Sequence, residues 1–301
     1  MKNIMILFNS TSGQDQGKDI AEQFKRYAQK KQADLVCSLQ EIGPEIDDQK
    51  VVAEAEKQQI DTLVIIGGDG TINKMVAAFR ERLSDLTLGI LPGGTVNNMA
   101  QALNIPTDFS DAFDIILAGH TRKVDYGKIG SKSIVSTMTI GILADTAVQI
   151  TQKEKQKYGK FIFVKNFFRL LAKKKRYDLE ITIDEKEWRG KTQLLAVVMT
   201  NSVGGYRNFD TAAKPDDGLF HLIILPQINT FKLIGYLPKI ILGKISELPE
   251  MDYLTGSHIQ IKNHKQGEKI VTRVDGDPCD DLPVELAMVK QGLTIFAPSE
   301  E

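Results

Sequence analysis

The sequence predicts an α/β domain built on a parallel sheet, followed by a β-rich domain of two packed sheets. Three observations lead there. Short apolar runs alternate with helix-spaced apolar residues through the first 125 residues; period-two and short apolar runs dominate afterwards; and two glycine-rich segments directly follow apolar runs.

Residues 4–8, 35–39, 63–66 and 88–91 are short and apolar, as buried parallel strands are. Between them Ile20, Phe24, Tyr27 and Ala28 recur at helical spacing, as do Ile72, Met75, Val76 and Phe79. Strand–helix alternation implies a parallel sheet with helices on its faces, and such sheets take ligands at the carboxyl ends of their strands. The glycine-rich segments 67–71 and 92–95 lie at such ends. After about Asp125 the pattern changes. Residues 179–184 alternate strictly, and 192–200, 219–225, 270–274 and 284–289 supply further strands. The last run, 292–297, is able to return to either domain. The division is therefore 1–125, with 292–301 able to join it, and 126–291.

Composition narrows the function classes. A chain of 301 residues can bury two cores, and 42% apolar with 26% charged residues is a globular balance. A net charge of −1 gives no global attraction to nucleic acid or membrane, so any attraction is local. Cys37 and Cys279 are too few for a disulfide framework and suit a reducing cytoplasm. The first apolar run is too short for a signal peptide and is interrupted by 9–13, and no run of eighteen apolar residues predicts a membrane span.

The sharpest chemical feature is Gly67-Gly68-Asp69-Gly70-Thr71-Ile72-Asn73 after an apolar strand. Glycines let backbone approach a phosphate, and a helix start adds unpaired N–H groups and a favourable dipole end. Asp69 in that turn can bind Mg²⁺ directly or through water. A tight turn with Asp69 as helix cap is the simpler reading of the same residues.

Gly67-Gly68-Asp69-Gly70-Thr71 resembles the nucleotide-binding motif shared by diacylglycerol kinases, sphingosine kinases, NAD kinases and phosphofructokinases. Further segments are similar to the lipid kinase branch: Phe8-Asn9-Ser10-Thr11-Ser12-Gly13, Leu91-Pro92-Gly93-Gly94-Thr95-Val96-Asn97-Asn98, Lys214-Pro215-Asp216-Asp217-Gly218-Leu219 and Asp275-Gly276-Asp277. They occur in the family's order and span essentially the whole chain. The resemblance implies an NAD kinase/phosphofructokinase-like nucleotide-binding domain, a β-sandwich, and a kinase dependent on ATP and Mg²⁺. It implies that Asn9, Ser10, Thr11, Ser12, Gly13, Gly67 to Asn73 and Thr95 wrap ATP. Asp69, Asn98 and Asp125 would form the network around the catalytic Mg²⁺. Asp217 and the carbonyls of Lys214 and Leu219 would hold a second Mg²⁺. Asp277 would be the general base toward a lipid hydroxyl, diacylglycerol being the first expectation. Two positions depart from the branch: Asn98 stands where Asp is usual, and Asp277 where Glu is usual. An NAD kinase-like enzyme, or a weakly active nucleotide- or lipid-binding regulator, are the competing readings.

Residues 151–177 carry ten Lys/Arg against one acid, Glu154, interleaved with Phe161, Phe163, Phe167 and Phe168. Such a stretch suits peripheral contact with an anionic membrane, here on the cytoplasmic side, or packs its aromatic face on its own domain. No reading motif accompanies the charge, so nucleic acid is not expected as a partner. The apolar segment 231–245 belongs to the core or to a lipid entry. His120, His221, His258 and His264 show no metal or triad spacing, Cys279 is at most a reactive thiol, and a homodimer is left open.

Overall fold

The computed structural model describes residues 1–9, 16–141, 176–226, 244–265 and 269–299, with residues 232, 235, 236, 238, 239 and 242 between them. Most of the basic stretch 151–177 and of the apolar segment 231–245 lies outside the described residues.

Strands β1 (Asn3–Phe8), β2 (Val36–Glu41), β3 (Thr62–Gly67) and β4 (Thr87–Pro92) run parallel in the spatial order β2-β1-β3-β4. Helices α1 (Gly17–Lys31), α2 (Asp48–Lys57) and α3 (Asp69–Ala78) connect them, and α4 (Asn98–Ala102) and α5 (Phe109–Ala118) follow β4. Strand β3 is buried at every position because helices cover both faces of the sheet, which is why its residues read as one apolar run. The apolar stripe of α1 buries Ile20, Ala21, Phe24 and Ala28. Phe24 meets Phe113 of α5 edge-on at 5.1 Å between ring centroids. Full burial of a side chain of this kind contributes about 1.5–3 kcal/mol. The chain passes from β1 to β2 on one side and then crosses to β3 on the other. The reversal lies between β1 and β3, where open α/β sheets take ligands. Asn9 and the Gly67 turn sit at that crevice.

The remaining strands are β5 (Thr121–Ile129), β6 (Lys132–Ile134), β7 (Thr137–Gly141), β8 (Tyr177–Ile183), β9 (Lys186–Thr192), β10 (Leu194–Val198), β11 (Phe220–Leu225), β12 (Asp252–Gly256), β13 (His258–Asn263), β14 (Val271–Val274), β15 (Asp277–Asp281) and β16 (Val284–Phe296). One six-stranded sheet has the order β12-β11-β10-β7-β14-β15; β16, β13, β8 and β9 continue the first sheet beyond β4. The two faces enclose a second core that includes Ile181, Leu195, Leu222, Ile259 and Leu286. The architecture is therefore the predicted one, a parallel-sheet α/β domain and an antiparallel β-sandwich.

Strand β16 serves both cores. Its start pairs with β13, while Thr294 and Ile295 pair parallel with β4, and Leu293, Ile295 and Phe296 pack in the first core. The runs 284–289 and 292–297 are thus one strand, continuous because β5 pairs along it on both sides of a register shift between Val289 and Leu293. The run 192–200 divides instead into the end of β9 and β10, the Thr192 hydroxyl turning back to the Leu194 and Leu225 carbonyls. No helix among the described residues is long and apolar enough to cross a membrane.

Candidate active site

The two glycine turns meet. The Gly93 N–H donates to the Gly67 carbonyl at 3.0 Å. A Cβ on Gly94 would lie 2.5 Å from Gly68 Cα, so glycine is required for the turns to touch. Asn97, left-handed at φ 55, closes the second turn by accepting the Gly94 N–H at 2.9 Å and donating back to the Gly94 carbonyl at 2.9 Å. Thr95 is exposed beside it, and Thr71 folds its side chain against Gly67. The first turn leads directly into α3, whose start favours an anion.

Asp69 opens α3 and is buried. Its oxygens accept the backbone N–H groups of Asn98 at 2.8 Å and Met99 at 2.9 Å, which ties α3 to the start of α4. Burial raises its pKa against those two donors. Asp275 belongs to the same cluster. It sits at φ 49 in the turn between β14 and β15, and although the residue is half-buried its carboxyl is enclosed. Oδ1 accepts the Ser136 N–H at 2.8 Å, the Ser136 hydroxyl at 2.7 Å and the Thr137 N–H at 2.9 Å. Oδ2 accepts the Val135 N–H and Asn73 Nδ2, each at 2.9 Å. Burial and the neighbouring Asp69 carboxylate push Asp275 up to about 6, against the five donors around it. The contact from Asn73 on α3 to Asp275 joins the two domains.

Two residues beyond Asp275, Asp277 projects over the first turn of α3. A Cβ on Gly70 would lie 2.4 Å from Asp277 Oδ2, so the absence of a side chain at Gly70 makes room for this carboxylate. Asp277 is exposed and, among the described residues, its carboxylate accepts no hydrogen bond. Beside it opens a cavity of about 420 Å³, whose walls include Gly70, Asn73, Lys74, Lys132, Asp277 and Cys279. The Lys74 ammonium on that wall is 3.0 Å from Asp48 Oδ1 and donates to the Gly43 carbonyl at 2.9 Å, which braces α2 on α3.

Asp125 lies elsewhere. Buried on β5, it accepts the Gly218 and Gln291 N–H groups at 2.6 Å each, and so pins the 214–219 loop and the β16 bulge to β5. No hydrogen bond among the described residues links it to Asp69 or Asp275. Asp217 forms another cluster: it accepts the Lys214 and Leu219 N–H groups at 2.9 Å each, and its Oδ2 is 2.9 Å from His221 Nε2. Burial opposes the ionised form of Asp217, but His221 and the backbone donors hold its pKa below the ordinary value. His221 also contacts Tyr253, whose hydroxyl donates to the buried Asp210 at 2.6 Å. Ser10, Thr11, Ser12 and Gly13 lie outside the described residues; Asn9, half-buried at the end of β1, is in reach of the backbone at Gly17. Among the described residues no three His, Cys, Asp or Glu side chains gather as a metal cage.

The structure thus brings together Gly67 to Asn73, Thr95, Asn98 and Asp277, and adds Asp275, Ser136 and Lys74, to which the sequence reading gave no role. Asp275 was visible only as the first residue of Asp275-Gly276-Asp277; nothing in the local sequence marks Ser136.

The profile described as "Diacylglycerol kinase catalytic domain" matches residues 3–129, and that of the "YegS C-terminal NAD kinase beta sandwich-like domain" matches residues 136–297. The chain is 30% identical to a diacylglycerol kinase of Staphylococcus saprophyticus over 99% of its length and 96% of the relative's. It is 31% identical to a diacylglycerol kinase of Staphylococcus aureus over 99% of its length and 93% of the relative's. The crystal structure of a diacylglycerol kinase from Bacillus anthracis, 20% identical, shares the fold at a TM-score of 0.78, covering 99% of this chain and 97% of that one.

Proposed function

The chain belongs to the diacylglycerol kinase catalytic-domain family, phosphotransferases with an alcohol acceptor, and we propose that it transfers the γ-phosphoryl group of ATP to the hydroxyl of a lipid alcohol. Diacylglycerol, giving phosphatidic acid, is the first substrate expected. The observation that carries this reading is Asp277: an exposed carboxylate, free of hydrogen bonds among the described residues, set over Gly70 beside the joined glycine turns.

Phosphoryl transfer is mainly positioning and charge neutralisation. The backbone of residues 67–71 and the start of α3 would receive the phosphates, with Asn9 and Thr95 flanking them and residues 10–13 completing the wrap. Asp277 would accept the proton of the attacking hydroxyl, and the five donors on Asp275 would keep the turn that carries it rigid. Mg²⁺, when bound, neutralises phosphate charge, and it is usually held by one or two carboxylates plus the phosphates themselves. Asp69 fits that part, since among the described residues each of its oxygens accepts one N–H and keeps a lone pair. Asp217 keeps one on Oδ1, which would hold a second Mg²⁺ with the Lys214 and Leu219 carbonyls. The basic stretch 151–177 would hold the enzyme on an anionic membrane surface.

The test is transfer of labelled γ-phosphate from ATP and Mg²⁺ to a panel of lipid alcohols in mixed micelles, with NAD as a soluble control. A labelled lipid formed by the wild type and lost in Asp277→Asn, which still binds ATP, is the expected result. Label on NAD alone, or undiminished transfer by Asp277→Asn, would overturn it. Added anionic phospholipid should raise the rate; no response argues against the membrane contact.

A further inference from the structure

Asn98 is wired into the domain junction at both ends of its side chain. Oδ1 accepts the Gly205 N–H at 3.0 Å and the Ser202 hydroxyl at 3.3 Å, while Nδ2 donates to Ser136 Oγ at 3.3 Å. A backbone N–H can only donate, so the atom facing Gly205 is the oxygen and the amide orientation follows. Ser136 in turn gives its hydroxyl proton to Asp275 Oδ1 at 2.7 Å. At 2.7 Å this is the shorter of the two side-chain contacts of Ser136 Oγ, so its one proton lies toward Asp275. Ser136 therefore offers Asn98 only lone pairs.

That fixes what position 98 must be. A carboxylate there would set an oxygen against the lone pairs of Ser136 Oγ at hydrogen-bond distance. It would also add a buried negative charge next to Asp69, which accepts the backbone N–H of Asn98 at 2.8 Å, and close to Asp275. Asn98 is also unsuited to be a metal ligand, since both lone pairs of Oδ1 are taken by Ser202 and Gly205.

We infer that Asn98 is a positioning residue, a neutral clasp that joins the start of α4 to segments 135–137 and 202–205 and thereby holds Asp275, and with it Asp277, in register with α3. The donor of the amide is the required feature. The Asp usual in the family would break the clasp in this chain. The catalytic half of this inference rests on the lipid kinase reading above; the structural half does not.

The test compares wild type with Asn98→Asp and Ser202→Ala by thermal unfolding without ligands and by kcat and KM for ATP with a lipid alcohol. Asn98→Asp should melt roughly 5–10 °C lower and lose at least about tenfold in kcat, with KM for ATP changed little. Ser202→Ala, which removes one donor and adds no charge, should show a smaller loss in the same direction. If Asn98→Asp does not fold while Ser202→Ala folds with that smaller loss, the clasp is upheld. Asn98→Asp that melts with the wild type, or turns over as fast or faster, overturns it. Absence of lipid phosphorylation by the wild type would sink the kinase reading alone, and the melting temperatures would still decide the clasp.

Discussion

Replacement of Gly70 by alanine should separate stability from turnover. Gly70 is the second residue of α3, and its backbone is not in the left-handed region, so alanine is sterically acceptable to the main chain. In such a place Gly→Ala stabilises by about 0.4–1 kcal/mol, chiefly by restricting the unfolded chain. The new methyl, however, would lie 2.4 Å from Asp277 Oδ2. An ordinary contact of about 3.4 Å requires the carboxylate to retreat by about 1 Å. Asp277 is exposed and nothing else among the described residues holds its carboxylate, so the retreat costs the fold little. At a reacting centre, misplacement by about 1 Å can cost about a hundredfold in rate. Gly70→Ala should therefore melt at or above the wild-type temperature while kcat for lipid phosphorylation falls about a hundredfold. Differential scanning fluorimetry and the labelled-phosphate assay read the two quantities. A variant with undiminished kcat would refute the placement of Asp277 as the acting carboxylate, and one that melts well below the wild type would refute the account of the contact.

Two further predictions concern the carboxylates that brace the site. Asp125→Ala should lower the unfolding free energy by about 2–5 kcal/mol, since the Gly218 and Gln291 N–H groups both lose their acceptor. Urea denaturation measures it, and an unchanged midpoint with abolished transfer would place Asp125 in the metal network instead. The second concerns pH. Asp275 is raised from 3.8 to about 6 in the folded protein, so between those values the folded state keeps a proton that the unfolded state has lost. Its contribution to stability is thus fully present below about pH 4 and declines as pH rises through 6, by about 3 kcal/mol for a shift of this size. The stability difference between wild type and Asp275→Asn, measured in metal-free buffer, should shrink over that window. A difference that grows with pH would mean the five donors outweigh burial and the Asp69 charge.

How much of this was legible in the sequence depended on what each residue answers to. Strands β1, β3 and β4 are buried on both faces, so their own apolarity announces them. Strand β9, Lys-Glu-Trp-Arg-Gly-Lys-Thr, is an edge strand with most of its length toward solvent, and its charges hide it. Strand β15, Asp-Pro-Cys-Asp-Asp, has no apolar pattern at all and exists through its pairing with β14. The glycine turns and Asp69 were legible because phosphate approach and helix capping are local demands. The anchoring of Asp275 was not. Its donors at 73 and 135–137 are 138 to 202 residues away, and the identity of those partners is settled only by the packing of two domains. The same holds for Asn98, whose departure from the family reads as a weakness in sequence and as a hydrogen-bonded clasp in the fold.

The return of β16 to β4 has a consequence for how the molecule is made. During synthesis the nucleotide-side sheet emerges first, but the β4 edge beyond β3 has no partner until residues 294 and 295 leave the ribosome. For the whole time needed to translate the intervening sandwich, that apolar edge is open to pairing with another nascent chain. Slow completion of a contact between residues 87–88 and 294–295 also makes the first domain a late folder despite its early position. A burden on chaperones, and aggregation on overexpression at high temperature, would then arise from the N-terminal half, and would be relieved by anything that speeds arrival of the final strand.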